Sequence, residues 1–161
     1  MEVDFEAIKF ATNGMLDPDV YRGIHECAQT SLADILEVGT ASGAATISAA
    51  LGAQPGIRVK TIERVVSVSG WSLWGTEENY TQLINKNFER FGIKQTIDSH
   101  IGTSQEIAPT LNLNNGLGML ILDADGAIDR DFLLFYNALT PGAPIVIDDY
   151  KNKMVNFKIY D

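Results

Sequence analysis

The sequence has one cysteine, Cys27, so no intrachain disulfide can form and cysteines alone supply neither a structural zinc site nor a redox pair. It is short of positive charge: 12 Lys and Arg stand against 21 Asp and Glu, a formal net charge of -9. A general nucleic-acid binder builds its affinity from clustered cations that displace counterions, so small molecules are the expected partners and nucleic acid is not. No apolar run approaches the roughly 20 residues that span a bilayer, and Met1 to Glu6 is acidic where a signal peptide would be basic. The expectation is a soluble, cytoplasmic protein with no membrane partner. Repeats, low-complexity tracts and linkers are also missing. With 161 residues, 45% of them hydrophobic and 20% charged, the chain reads as a single domain over residues 1–161.

What is present alternates. Asp17-Pro18 marks a helix start, with Asp17 as cap and an apolar stripe through Val20 and Ile24, running to about Thr30. Strand 1 is Asp34 to Val38, followed by a glycine turn and a small-residue helix from Ala44 to Leu51. Strand 2 is Arg58 to Glu63. A Gly- and Ser-rich loop with Trp71 and Trp74 leads to a helix that Thr76 caps and Gly92 stops. Strand 3 spans Gln95 to Ile101, with a short helix after Gly102-Thr103-Ser104 reaching about Leu111. Strand 4, Gly118 to Leu122, is continuously apolar, as a strand buried on both faces should be. A helix opening at Asp129 runs to Leu139, and strand 5 is Ala143 to Ile147. One more short strand, Val155 to Ile159, is expected near the end. Five strand and helix alternations predict an α/β fold: a Rossmann-like, doubly wound parallel sheet with right-handed crossovers.

In such sheets ligands bind at the carboxyl ends of the strands, and acids collect there. Glu37-Val38-Gly39-Thr40-Ala41-Ser42-Gly43 joins strand 1 to a helix whose first N–H groups are free to meet a ligand. Glu63 ends strand 2, Asp123 follows strand 4, and Asp148-Asp149 follow strand 5. With strand order 3-2-1-4-5, strands 4 and 5 lie about 4.8 Å apart and bring Asp123, Asp148 and Asp149 together. Clustered carboxylates with oxygen donors suit a hard divalent cation such as Mg²⁺. The alternative is that Asp148 or Asp149 caps the following segment and no ion binds. A nicotinamide-binding G-x-G-x-x-G would need glycine at position 41, where Ala41 stands. His100 at the end of strand 3 reads as a satisfied or solvated histidine rather than a ligand.

These features resemble the class I S-adenosylmethionine-dependent methyltransferases over about Asp34 to Tyr150. The loop is similar to their acid-x-Gly-x-x-x-Gly cofactor loop, and Glu63 stands where their strand-2 acid binds ribose hydroxyls. Leu122-Asp123-Ala124-Asp125 and Ile147-Asp148-Asp149-Tyr150 resemble the metal-dependent O-methyltransferases, in particular the branch acting on sugar hydroxyls of natural products; the catechol and caffeoyl-type branch is a second relative. The resemblance implies cofactor contacts from Glu37, Gly39, Thr40, Ala41, Ser42, Gly43, Glu63, Asp123, Thr103 and Ser104. It also implies Mg²⁺ or a similar cation on Asp123, Asp148 and Asp149, and Asp125 as general base toward the hydroxyl of a small acceptor. Family members continue into strands 6 and 7, which read as missing or reduced here; the alternatives are a fragment, a compact variant, or a homo-oligomer that covers the sheet edge. An inactive S-adenosylmethionine-binding module and a metal-independent methyltransferase remain alternatives.

Overall fold

The computed structural model describes residues 2–65, 74–124 and 127–148. In chain order these form α1 (Phe5–Thr12), α2 (Pro18–Gln29), β1 (Asp34–Val38), α3 (Ala44–Gly52), β2 (Val59–Glu63) and α4 (Glu77–Arg90), then β3 (Ile97–Ile101), α5 (Ser104–Ile107), β4 (Leu117–Leu122), α6 (Ile128–Phe135) and β5 (Ile145–Ile147). The five strands make one sheet in the order β3-β2-β1-β4-β5, every pair parallel. The expected α/β class and strand order are both found. Among the described residues, no helix is long and apolar enough to cross a membrane. The expected strand Val155 to Ile159, with Trp71, Asp125 and Asp149, lies outside the described residues.

The central strands are apolar because both faces are covered. One face carries Ile35, Val59, Ile97, Met119 and Ile121 against α1 to α4, through Phe5, Tyr21, Ile24, Ile47, Ile84 and Phe88. The other carries Leu36, Val38, Ile62, Leu120 and Leu122 against Ile128 and Phe135 of α6, with Ile107 of α5 packed alongside. Alternation of side chains along each strand thus divides the sheet into two cores.

Several boundaries differ from the sequence expectation for local reasons. α1 was not anticipated: Asp4 caps it by accepting the Ala7 N–H at 2.9 Å, and Phe5, Ile8 and Thr12 form its buried stripe. The helix after β3 holds only Ser104–Ile107 before tightening to a 3₁₀ turn over Ala108–Thr110, where Pro109 cannot donate to an α-helical ladder. α6 likewise ends in a 3₁₀ turn, Tyr136–Ala138, and β5 is three residues rather than five.

Candidate functional site

At the carboxyl edge, β1 gives way to Gly39 through Gly43, and each part of that loop is tied down. The Gly39 N–H donates to Ile62 O at 2.9 Å and the Gly43 N–H to Thr40 O at 2.8 Å. Asn87 of α4 donates to Ser42 O at 2.9 Å. The two glycines answer to packing: at Gly39 (φ +98°) a Cβ would lie 1.9 Å from Asp123 O, and at Gly43 (φ +86°) one would lie 2.7 Å from the Phe88 ring. Gly39 lets the loop rest directly on the end of β4, and Gly43 lets it rest on α4.

Ala41 is the unexpected member. It adopts φ +46°, a left-handed conformation that a side chain disfavours, so the backbone at position 41 is glycine-like although the residue is not. The Ala41 N–H donates to Glu63 Oε2 at 2.8 Å, and the Thr40 amide also favours the Glu63 carboxylate. Burial raises the Glu63 carboxyl above the usual range, and those amides oppose the rise. The last residue of β2 is therefore clasped to the tip of the loop.

Glu37, the acid of the loop motif, is the fourth residue of β1. It is fully buried beneath the loop and does not line the cavity described below. Its Oε2 accepts the Thr61 hydroxyl at 2.8 Å and the Thr46 hydroxyl of α3, while the Thr61 and Thr40 hydroxyls also meet. Its other oxygen, Oε1, has no hydrogen-bond partner among the described residues. Burial pushes this carboxyl up to about 8, against the lowering effect of the two threonines.

Around the loop lies a cavity of about 640 Å³ lined by Gly39, Ala41, Glu63, Thr103, Ser104 and Asp123 among others. Six of the sequence-predicted residues are thus brought together. Thr40 and Ser42 face a smaller adjoining space of about 20 Å³, with Met15, Tyr21 and Asp123. Gly43 supplies the left-handed cap from which α3 starts, with no side chain closing that helix end. Thr103 caps α5 in a reciprocal box with Glu106, which donates its N–H to Thr103 Oγ1 at 3.3 Å and accepts the Thr103 N–H at 2.9 Å.

Asp123 and Asp148 follow register partners Leu122 and Ile147 on neighbouring strands, and their backbone N–H groups continue the ladder to Val38 O at 2.9 Å and Leu122 O at 3.1 Å. Among the described residues no group of three His, Cys, Asp or Glu side chains is placed to hold a metal ion. His100 is half-buried on β3 opposite Ile62, outside the cavity lining, and burial lowers its ring below the ordinary value.

Sequence reasoning passed over Met15, Arg64, Gln105 and Arg130, which also line the cavity. One signal was available: Asp131 falls in the stripe Ile128, Asp131, Phe135 that α6 buries, an acid at a core position.

The donor set fits a nucleoside-bearing cofactor. A carboxylate at the end of β2 can accept hydroxyl hydrogen bonds, an open helix N-terminus stands beside it, and the cavity is of ligand size. A family model described as a methyltransferase domain matches residues 36–150. The chain belongs to this methyltransferase-domain family. Among curated proteins, uncharacterized protein R132 of Acanthamoeba polyphaga mimivirus is 31% identical over 100 residues, which cover 58% of this chain and 43% of that protein. Among solved structures, the O-methyltransferase TomG from Streptomyces achromogenes, bound to SAM and involved in tomaymycin synthesis, is 22% identical with a TM-score of 0.72. An O-methyltransferase from Bacillus cereus in complex with SAH is 20% identical with a TM-score of 0.70. The chain spans 66% of the length of TomG and 67% of the Bacillus protein, and each alignment covers 91% of this chain. At such identities these two structures establish the shared fold.

Proposed function

We propose that the chain is an S-adenosylmethionine-dependent O-methyltransferase domain that transfers a methyl group to a hydroxyl of a small molecule. The observation that carries this reading is the clasp between Glu63 and the Ala41 N–H inside the cavity at the carboxyl edge. It sets a hydroxyl-accepting acid beside the backbone of the glycine loop, and membership of the methyltransferase-domain family gives that pair its meaning.

On this reading Glu63 accepts the ribose hydroxyls, the loop from Gly39 to Gly43 carries the amino-acid half, and Asp123 borders the reacting end. The methyl group arrives on a sulfonium and needs no further activation, so the chain's residues act mainly by alignment. Transfer breaks the sulfur–carbon bond, whose electron pair stays on sulfur, and forms the oxygen–carbon bond. The acceptor's proton passes to a carboxylate, for which Asp125 is the candidate base.

Asp123 and Asp148, which follow the register partners Leu122 and Ile147, are with Asp149 the residues that would hold Mg²⁺. Two neighbouring carboxylates are the right donor chemistry for a hard cation. Bound there, the ion would lower the pKa of the acceptor hydroxyl and fix its orientation. The acceptor class follows the natural-product and catechol-type enzymes that the strand ends resemble.

The test is methyl transfer from labelled S-adenosylmethionine to a panel of sugar and catechol hydroxyls, with Mg²⁺, with a chelator, and with Asp148→Ala. A fall of about 100-fold or more on chelation and in the variant is expected. Transfer that is indifferent to both supports the metal-independent alternative. Cofactor binding without transfer to any hydroxyl supports the inactive binding module.

A further inference from the structure

Asp131 is 1% exposed in the α6 stripe that faces the sheet, and nothing in the methyl-transfer scheme uses it. Among the described residues its carboxylate gathers three donors. Arg130 Nε donates to Oδ1 and Arg130 Nη2 to Oδ2, each at 2.8 Å, and the Ser104 hydroxyl at the start of α5 also donates to Oδ1. Ser104 is itself buried, at 4%, and it and Arg130 both line the large cavity, beside Thr103 and Gln105. The Arg130 side chain, 33% exposed, is folded back on its own helix by the two-pronged pair rather than extended into solvent. A buried carboxylate is costly even when paired, and a leucine would suit the stripe between Ile128 and Phe135. What the acid provides is position: a bidentate grip fixes the plane of a guanidinium, and the serine joins α5 to the same anchor.

We propose that Arg130 is a binding residue for the adenine base of the methyl donor, and that Asp131 is the positioning residue holding Arg130 and Ser104 as one wall of the base site. This rests on the proposed reading of the cavity as the donor site. Glu63, at the end of β2, takes the ribose. The sheet order places the exit of β3, Gly102 through Gln105, on the far side of β2 from the glycine loop. A base leaving the ribose away from the loop meets that exit, and Ser104 connects the exit to Arg130 through Asp131. A flat cation with a fixed plane stacks on a flat aromatic base, and such contacts strengthen binding by about tenfold.

Isothermal titration of wild type, Arg130→Leu, Arg130→Lys and Asp131→Asn tests this with two ligands. S-adenosylhomocysteine carries base, ribose, sulfur and the amino acid; 5′-deoxy-5′-methylthioadenosine keeps the base, ribose and sulfur but lacks the amino acid. Arg130→Leu is expected to weaken both ligands by about the same factor, roughly tenfold. Arg130→Lys is expected to weaken them nearly as much, because an ammonium has no plane to stack. Asp131→Asn should weaken both severalfold, yet add less than twofold in the Arg130→Leu background, as a residue acting through Arg130 must. Binding of S-adenosylhomocysteine by Arg130→Leu within twofold of wild type overturns the proposal. So does a loss confined to S-adenosylhomocysteine, which would place Arg130 at the amino-acid end. A full additional loss from Asp131→Asn on Arg130→Leu overturns the positioning role. If Asp131→Asn does not fold, the two Arg130 variants still decide the base assignment. Failure of wild type to bind either ligand overturns the reading of the cavity itself, a result distinct from all of these.

Discussion

The two ends of the sheet treat their charges in opposite ways. At the amino end, acids are matched to cations: Lys60 reaches Asp34 at 2.7 Å and Asp98 at 3.6 Å, and Arg58 Nε donates to Asp98 at 2.7 Å while its backbone N–H donates to Asp34 at 3.1 Å. The Arg58 guanidinium holds the Asp98 carboxyl below the usual range. At the carboxyl end, among the described residues, Glu37 accepts from hydroxyls and Glu63 from backbone amides with Arg64 also favouring its charge, and burial drives both carboxyls up. The amino end matches its acids to cations, whereas the carboxyl end buries Glu37 beneath a loop and sets Glu63 in the wall of a cavity. An edge that buries carboxyls with raised pKa beside open space is where function is expected.

The largest effect should come from forcing the carboxyl end apart. Gly39→Ala places a Cβ 1.9 Å from Asp123 O at a φ of +98°. A loss of about 3 kcal/mol or more in denaturant unfolding is expected, with loss of S-adenosylhomocysteine binding.

Glu37→Gln tests the buried acid by pH. The folded carboxyl sits at about 8 against an ordinary 4.5, so above the lower value the unfolded chain sheds a proton that the folded chain keeps. Stability from this group therefore falls as pH rises between those values, by up to about 1.4 kcal/mol per pH unit. Glutamine removes that dependence. The variant should lie within about 1 kcal/mol of wild type at pH 5 and gain roughly 3 kcal/mol on it between pH 5 and pH 8.

Lys60→Met strikes the amino end, where the Lys60 side chain is 9% exposed and its partners Asp34 and Asp98 are 24% and 35% exposed. Partial solvent screening limits the expected loss to about 1–2 kcal/mol. Cofactor affinity should stay within about twofold of wild type; a larger change would show that the two ends are coupled. The opposite pH signature also belongs here, since a carboxyl held low by Arg58 contributes stability that is lost as pH falls through its folded value. Ala41→Gly should have the smallest effect, a gain of about 0.5 kcal/mol as the left-handed strain at φ +46° is released against glycine's added chain entropy.

The sequence spoke most clearly where the physics is local or periodic. Buried parallel strands such as Leu117–Leu122 announce themselves as continuous apolar runs, and the strand-end acids Glu63, Asp123 and Asp148 mark the carboxyl edge. It spoke less clearly where partners are distant. Arg58 and Asp98 are 40 residues apart and meet only because β2 pairs with β3. Glu37 stood out as the acid of the loop motif, while its hydrogen bond with Thr46 depends on strand alternation with Ile35 and on α3 crossing above it. Ala41 read only as a departure from the nicotinamide-binding glycine motif, and the left-handed backbone it adopts was not legible from its identity. Asp131 was visible as an acid in an apolar stripe, while its tie to Ser104 depends on α5 and α6 crossing the same face.

The most direct measurement is titration of wild type and Glu63→Gln with S-adenosylhomocysteine, with NADH as the competing nucleotide. Micromolar binding of S-adenosylhomocysteine, weakened about tenfold or more in Glu63→Gln while the unfolding midpoint holds, is the expected result. Tighter binding of NADH, or an affinity for S-adenosylhomocysteine that ignores the loss of the Glu63 charge, would contradict the assignment of the carboxyl edge as a methyl-donor site.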